Sequence, residues 1–189
     1  VRLDPIIIRP YDASWPARFE TQRQRISPVL RPWRTREVEH MGSTAVLGLS
    51  AKAIVDMLAV VSDTEATRDA IEPLARLGWH HAPEPEDDAE RHLSFCFPSA
   101  PRRTHHLHVV ETASPDWVGW LAFRDALRRD PVLAHEYADL KGRLAVEFGH
   151  DANDRAAYRL GKAEFITRVT RQALAERVPT TEAIDRRPR

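Results

Sequence analysis

Cysteine is nearly absent: Cys96 is the one such residue in 189, which excludes an internal disulfide framework and any CxxC zinc site. It sits in the apolar alternation HLSFCFP, where it reads as a packed strand residue. Excess charge is absent too, since 28 Lys plus Arg balance 28 Asp plus Glu. The whole molecule therefore has no field that draws it to polynucleotide or to anionic lipid. A long nucleic acid is not the expected partner, because phosphodiester backbone calls for an extended cationic track. No apolar run approaches the roughly 18 residues that cross a bilayer, and VRLDPIIIRPYDASWP lacks the apolar core of a signal peptide. The expectation is a cytoplasmic protein with no membrane partner. A Walker A loop is excluded as well, because Gly48 is followed by Leu49 and no GK[ST] comes after it.

What is present is an ordinary globular balance, 42% hydrophobic and 30% charged residues. With no break in composition, it predicts one domain over 1–177 and a flexible tail over 178–189, where proline, threonine and charge show no apolar period. Ser14 is the expected N-cap of a helix over WPARFETQRQRISPVL. REVEHM and AIVDMLAVV read as strands, and EATRDAIEPLARL as a helix that ends at Gly78 with Pro73 inside it. EPEDDAE reads as a solvated loop. RHLSFCF and THHLHVVE flank the turn-like PSAPRR and predict an antiparallel hairpin. Three helices follow: DWVGWLAFRDALRR, a second restarted at Asp130-Pro131 and ended by Gly149, and a third over DRAAYRLGKAEFITRVTRQALAERV. The order predicts an α+β or mixed α/β fold with a central mixed sheet, flanking helices and a helical C-terminal third.

The chemistry concentrates in EHMGSTAVLGLSAKAIVDMLAVV. Gly42 and Ser43 stand where a strand gives way to a turn, and glycine there lets backbone N–H groups approach a phosphate while a hydroxyl adds a donor. Thr44 and Lys52 are further phosphate-contact candidates. Asp56 lies in the middle of an apolar strand, where an unpaired carboxylate is costly to bury. It therefore holds a partner in a cleft or forms an ion pair with Lys52 or an arginine. On THHLHVVE the period of two puts His106 and His108 on one face and His105 and Glu111 on the other. His106 and His108 are candidate acid–base groups or phosphate contacts, and with a carboxylate they suit Zn²⁺, Mn²⁺ or Fe²⁺. Glu111 is the alternative source of a second metal carboxylate. Arg124 and Lys162 lie on apolar helix faces, where a cation implies an anionic partner.

Met41-Gly42-Ser43, a spacer of twelve residues and then Asp56 resemble the signature of nucleotidyltransferases of the DNA polymerase β type. Together with HHLHVVE, FRDALRRDPVLAHEYADLK and the late Y…GKAEFI, in that order, the stretch is similar to the GrpB family from about Pro10 to Ala173. The resemblance implies a nucleotidyltransferase-like fold. It also implies a nucleoside triphosphate as substrate, a divalent cation (Mg²⁺ or Mn²⁺, with Zn²⁺ as the alternative) and a small-molecule acceptor. The nucleotide base, the acceptor and the oligomeric state stay open. Where the pattern places a second carboxylate, two residues beyond Asp56, this chain has Leu58. That departure raises two alternatives: a non-catalytic nucleotide-binding module, or a His-ligated metalloenzyme. The plainer roles are a tight turn for Gly42-Ser43, a hydrogen-bonded strand face for His106 and His108, an exposed surface lysine for Lys52, and core packing for Tyr158 and the tryptophans of DWVGWL.

Overall fold

A computed structural model describes residues 6–83, 91–149 and 154–177. The acidic run 84–90 and the tail 178–189 lie outside the described residues. Strand β1 (Glu39–Met41) precedes the long central strand β2 (Val55–Val61), and β3 (His80–His81), β4 (His92–Phe97) and β5 (His105–Glu111) complete one mixed sheet. Its order is β1-β2-β5-β4-β3, with β2 and β5 parallel and the other pairs antiparallel.

Both faces of β2 are covered, which is why it reads as a near-continuous apolar run. On one side Val55, Met57, Ala59 and Val61 join Leu107, Val109, Leu93 and Phe95 beneath Trp15, Ile26 and Leu30 of α1 (Trp15–Leu30) and Leu74 of α3 (Ile71–Arg76). On the other, Leu58, Val60 and Val110 pack on Leu121 of α4 (Asp116–Arg129). Helices α4, α5 (Pro131–Phe148), α6 (Arg155–Leu160) and α7 (Ala163–Ala175) form the C-terminal layer around Phe123, Tyr137 and Phe165. No described helix is long and apolar enough to cross a membrane.

The predicted hairpin forms, with His92 opposite Val110 and Phe97 opposite His105. Asp130 caps α5 by accepting from the backbone N–H groups of Val132 (2.9 Å) and Leu133 (3.1 Å). Three expectations change. Ser14 makes no side-chain cap; Asp12 Oδ1 instead accepts from the Ser14 N–H at 2.8 Å. The helix expected over EATRDAIEPLARL is broken into α2 (Thr64–Thr67), a 3₁₀ turn at Arg68–Ala70 and α3, since Pro73 has no N–H to continue the α-helical ladder. The long last helix divides at Gly161-Lys162, where a Cβ on Gly161 would lie 2.5 Å from Leu144 Cδ2. That close approach seats α5 against the α6–α7 junction and places Lys162 at the start of α7.

Candidate functional site

The site is built around the end of β1. Met41 pairs with Asp56 across the ladder, and the chain then turns at Gly42 with φ 70° and ψ −171°. A Cβ at position 42 would stand 2.5 Å from Asp56 Oδ2. Glycine is thus required twice: for the positive φ and because the Asp56 carboxylate occupies the space a side chain would fill. Ser43–Ala45 forms a 3₁₀ turn. The Thr44 hydroxyl points to buried His40, 3.0 Å from its Nε2, so Thr44 lines the site without offering that hydroxyl to it.

Beside this turn opens a cavity of about 210 Å³, walled by Gly42, Ser43, Lys52, Asp56, His106 and Lys141 and closed by Tyr137, Tyr158 and Lys162. Lys141 is buried and donates to Ser43 Oγ (2.9 Å) and to the Ser50 carbonyl. The Lys162 and Lys52 ammonium groups lie 4.5 and 5.9 Å from the Tyr158 ring centroid, and Lys141 lies 4.8 Å from that of Tyr137. Burial, reinforced by Lys162 and Lys52, pushes the Lys141 ammonium down to about 7. Lys162 falls to about 8, again chiefly through burial and then Lys52, with Asp56 pulling the other way. Burial raises Tyr137 above the ordinary phenol range and Tyr158 to about 12, so neither supplies a negative charge. Two desolvated ammonium groups, Lys141 and Lys162, with Lys52 beside them at the same wall, make a cavity that an anion would stabilise.

On the neighbouring strand His106 pairs with Asp56 and His108 with Leu58. His106 Nδ1 stands 3.9 Å from Asp56 Oδ1, and the two imidazole centroids are 4.0 Å apart. One donor atom from each of Asp56, His106 and His108 falls within 4.8 Å of the others. Asp56 retains 31% of its side-chain exposure at the cavity wall. His108 flanks the wall and is 3.1 Å from His92 Nε2 through its Nδ1.

Of the residues singled out in the sequence, Gly42, Ser43, Thr44, Lys52, Asp56, His106 and Lys162 meet at this one cavity. Two are corrected. Arg124 does not reach it: the buried guanidinium bonds Glu39 Oε2 (2.9 Å), Asp125 Oδ1 (2.7 Å) and the His40 carbonyl (2.8 Å), tying α4 to β1. Glu111 is not a ligand partner of Asp56, because it sits at the far end of β5 opposite Val61, on the other face, 3.8 Å from Arg91. Lys141 and Tyr137 were missed. Lys141 carried the same signal that marked Lys162, a cation on an apolar stripe four residues after Tyr137 and three before Leu144. Leu58 is fully buried against Met41, Val60, Val110 and Leu121, so no second carboxylate stands on β2.

A protein-family model described as "GrpB protein" matches residues 5–172. A UPF0157 protein of Pseudomonas aeruginosa is 36% identical over 173 residues, 91% of this chain and 69% of that protein. One from Deinococcus radiodurans is 35% identical over 88% of this chain and 81% of its own length. Among solved structures, the conserved protein GrpB from Enterococcus faecalis superposes with a TM-score of 0.77 at 29% identity, covering 90% of this chain and 98% of that one. Similarity to other solved structures is distant: Cid1 in complex with its short product ApU gives a TM-score of 0.40 at 15% identity, over 73% of this chain and 39% of that one. By the family match and the relatives together, the chain belongs to the GrpB family.

Proposed function

We propose that the chain binds the phosphate chain of a nucleoside triphosphate in the lysine-walled cavity and transfers a nucleotidyl or phosphoryl group to a small-molecule acceptor. The observation that carries this reading is the convergence of Lys52, Lys141 and Lys162 with the Gly42-Ser43 turn opposite the Asp56 carboxylate. Phosphoryl transfer asks a protein chiefly for positioning and for positive charge where negative charge accumulates. Lys141 and Lys162 offer that charge from desolvated positions, where it acts more strongly than in water. Gly42 leaves room for the Asp56 carboxylate beside the turn, and Lys141, which donates to Ser43 Oγ, fixes the turn from below. In this reading the half-buried Asp56 carboxylate would hold a divalent cation, Mg²⁺ or Mn²⁺, which would neutralise phosphate charge and polarise the reacting phosphorus. His106, beside Asp56, is the imidazole placed to take the proton of an acceptor hydroxyl or amine.

A second reading is favoured by Leu58: with one carboxylate on β2, the site binds a phosphorylated ligand without consuming it. Mass-spectrometric product analysis on purified protein with nucleoside triphosphates, a divalent cation and a panel of small acceptors separates the two. The transfer reading expects Asp56→Asn to cut turnover by about 100-fold or more while binding persists. It expects Lys141→Met to weaken inorganic triphosphate binding by roughly 10- to 100-fold, about 1.4–2.7 kcal/mol. Turnover undiminished in Asp56→Asn overturns it, and binding without product in the unaltered protein selects the second reading.

A further inference from the structure

The donor set on the sheet is a poor match for the magnesium pair that nucleotidyltransferase chemistry implies. Mg²⁺ takes oxygen ligands in near-octahedral array, and here the position of the second carboxylate is a buried leucine. What faces Asp56 is nitrogen: His106 directly across the ladder and His108 two residues along the same face of β5. We propose that Asp56, His106 and His108 form a mononuclear transition-metal site, two imidazoles and one carboxylate with open positions turned toward the lysine cavity.

Four observations support it. The three donor atoms lie within 4.8 Å of one another. Ligands about 2.1 Å from a shared metal stand roughly 3–4 Å apart, so side-chain rotation on the order of 1 Å closes the site. The ligands project from β2 and β5, adjacent strands at the centre of the sheet, where the backbone fixes their spacing. His108 Nδ1 meets His92 Nε2 at 3.1 Å, and Ser94 Oγ lies 3.4 Å from the same nitrogen. In the tautomer that carries the proton on His108 Nδ1, donation to His92 leaves the His108 Nε2 lone pair for the metal, the outer-shell arrangement that orients a ligating histidine. Finally, Asp56 and His106 both wall the cavity, so an oxygen of a bound anion can complete the coordination. The donor chemistry selects Zn²⁺, Mn²⁺, Fe²⁺ or Co²⁺ over Mg²⁺. His92 is a positioning residue.

The proposal shares Asp56 with the transfer reading and makes His106 a metal ligand in place of its general-base role there, but it stands on the donor set alone, and its test needs no nucleotide. Chelator-treated protein is titrated with Co²⁺, Zn²⁺ and Mg²⁺ by calorimetry and visible absorption. One Co²⁺ or Zn²⁺ per chain is expected, at least about 100-fold tighter than Mg²⁺. His106→Ala and His108→Ala should each lose this preference, and His92→Ala should weaken Co²⁺ binding by roughly 10- to 100-fold. Circular dichroism checks that these variants fold. Should they fail to fold, the unaltered protein decides the matter: Co²⁺ must shift the ring resonances of His106 and His108 and leave those of exposed His80 and His135 in place. Equal affinity for Mg²⁺, shifts confined to His80 or His135, or no binding overturns the proposal. Turnover with Mg²⁺ but no Co²⁺ site would leave the transfer reading standing, and a Co²⁺ site without turnover would do the reverse.

Discussion

At the scale of single residues, the contact between Gly42 and Asp56 organises the site. Position 42 combines a left-handed backbone with a carboxylate oxygen where a Cβ would be. Gly48 offers a control, since its φ is also positive, at 77°, and nothing lies within 4 Å of its virtual Cβ. Gly48→Ala should cost only the backbone penalty, about 1–2 kcal/mol, and leave ligand binding intact. Gly42→Ala should cost more, about 2–4 kcal/mol, and also lose metal binding, because Asp56 must move. Melting curves and calorimetry on the two variants check this; equal binding in both would remove Gly42 from the site. The residue scale is also where sequence reading was incomplete. Gly42, Ser43 and Asp56 are legible because a glycine-serine turn and a strand carboxylate are each locally anomalous. Lys141 stands on the apolar stripe of α5, and only the packing of α5 against the turn at Ser43 shows that this stripe reaches the site.

At the scale of elements, period-two alternation gave the faces of β2 and β5 correctly, while their adjacency had to come from the fold. Alternation places His106 and His108 together and Glu111 opposite, but only the parallel pairing of β2 with β5 brings His106 to Asp56. Strand β3 has two residues and no alternation to read, and it exists only because it pairs with Phe95 and Cys96. Helix boundaries failed where tertiary packing governs, as at Gly161 against Leu144. The same strand explains why a second carboxylate cannot simply be restored. Leu58 faces Leu121 and Val110 with no solvent access. Leu58→Asp should therefore destabilise the fold by several kcal/mol, through lost apolar burial and an uncompensated charge, without raising turnover. A variant that melts within a degree or two of the parent and turns over faster would contradict this account of the β2–α4 contact.

At the scale of the whole molecule, buried cations and buried imidazoles make stability depend on pH over two separate windows. His40 stacks on Phe19 of α1 at 4.8 Å, bonds Thr44 in the turn, and through its carbonyl holds Arg124 of α4. His105 packs against Trp79 and Phe97 beneath the sheet. Burial, with nearby arginines adding to it, pushes each down from 6.5 to about 4. Between these values the unfolded chain takes up a proton at each site and the folded protein does not, so their stabilisation is complete above pH 6.5 and is lost as pH falls toward 4. The loss is on the order of 3 kcal/mol per histidine. Urea midpoints measured from pH 7 to 4.5 should fall steeply, and His40→Gln should remove roughly half of the slope assigned to this pair. The lysines act in the other window. With Lys141 at about 7 and Lys162 at about 8, the unfolded chain holds more protons than the folded one up to the ordinary lysine range near 10.5, so ligand-free stability should rise as pH increases from 7 to 10. A bound anion reverses the preference by favouring the charged ammonium groups. Inorganic triphosphate should therefore raise the melting temperature more at pH 7 than at pH 9.5, and its affinity should fall by up to about tenfold per pH unit above 8 for each lysine that must be charged. Triphosphate affinity that stays constant from pH 7 to 9.5 would mean that the lysines do not hold the phosphate chain.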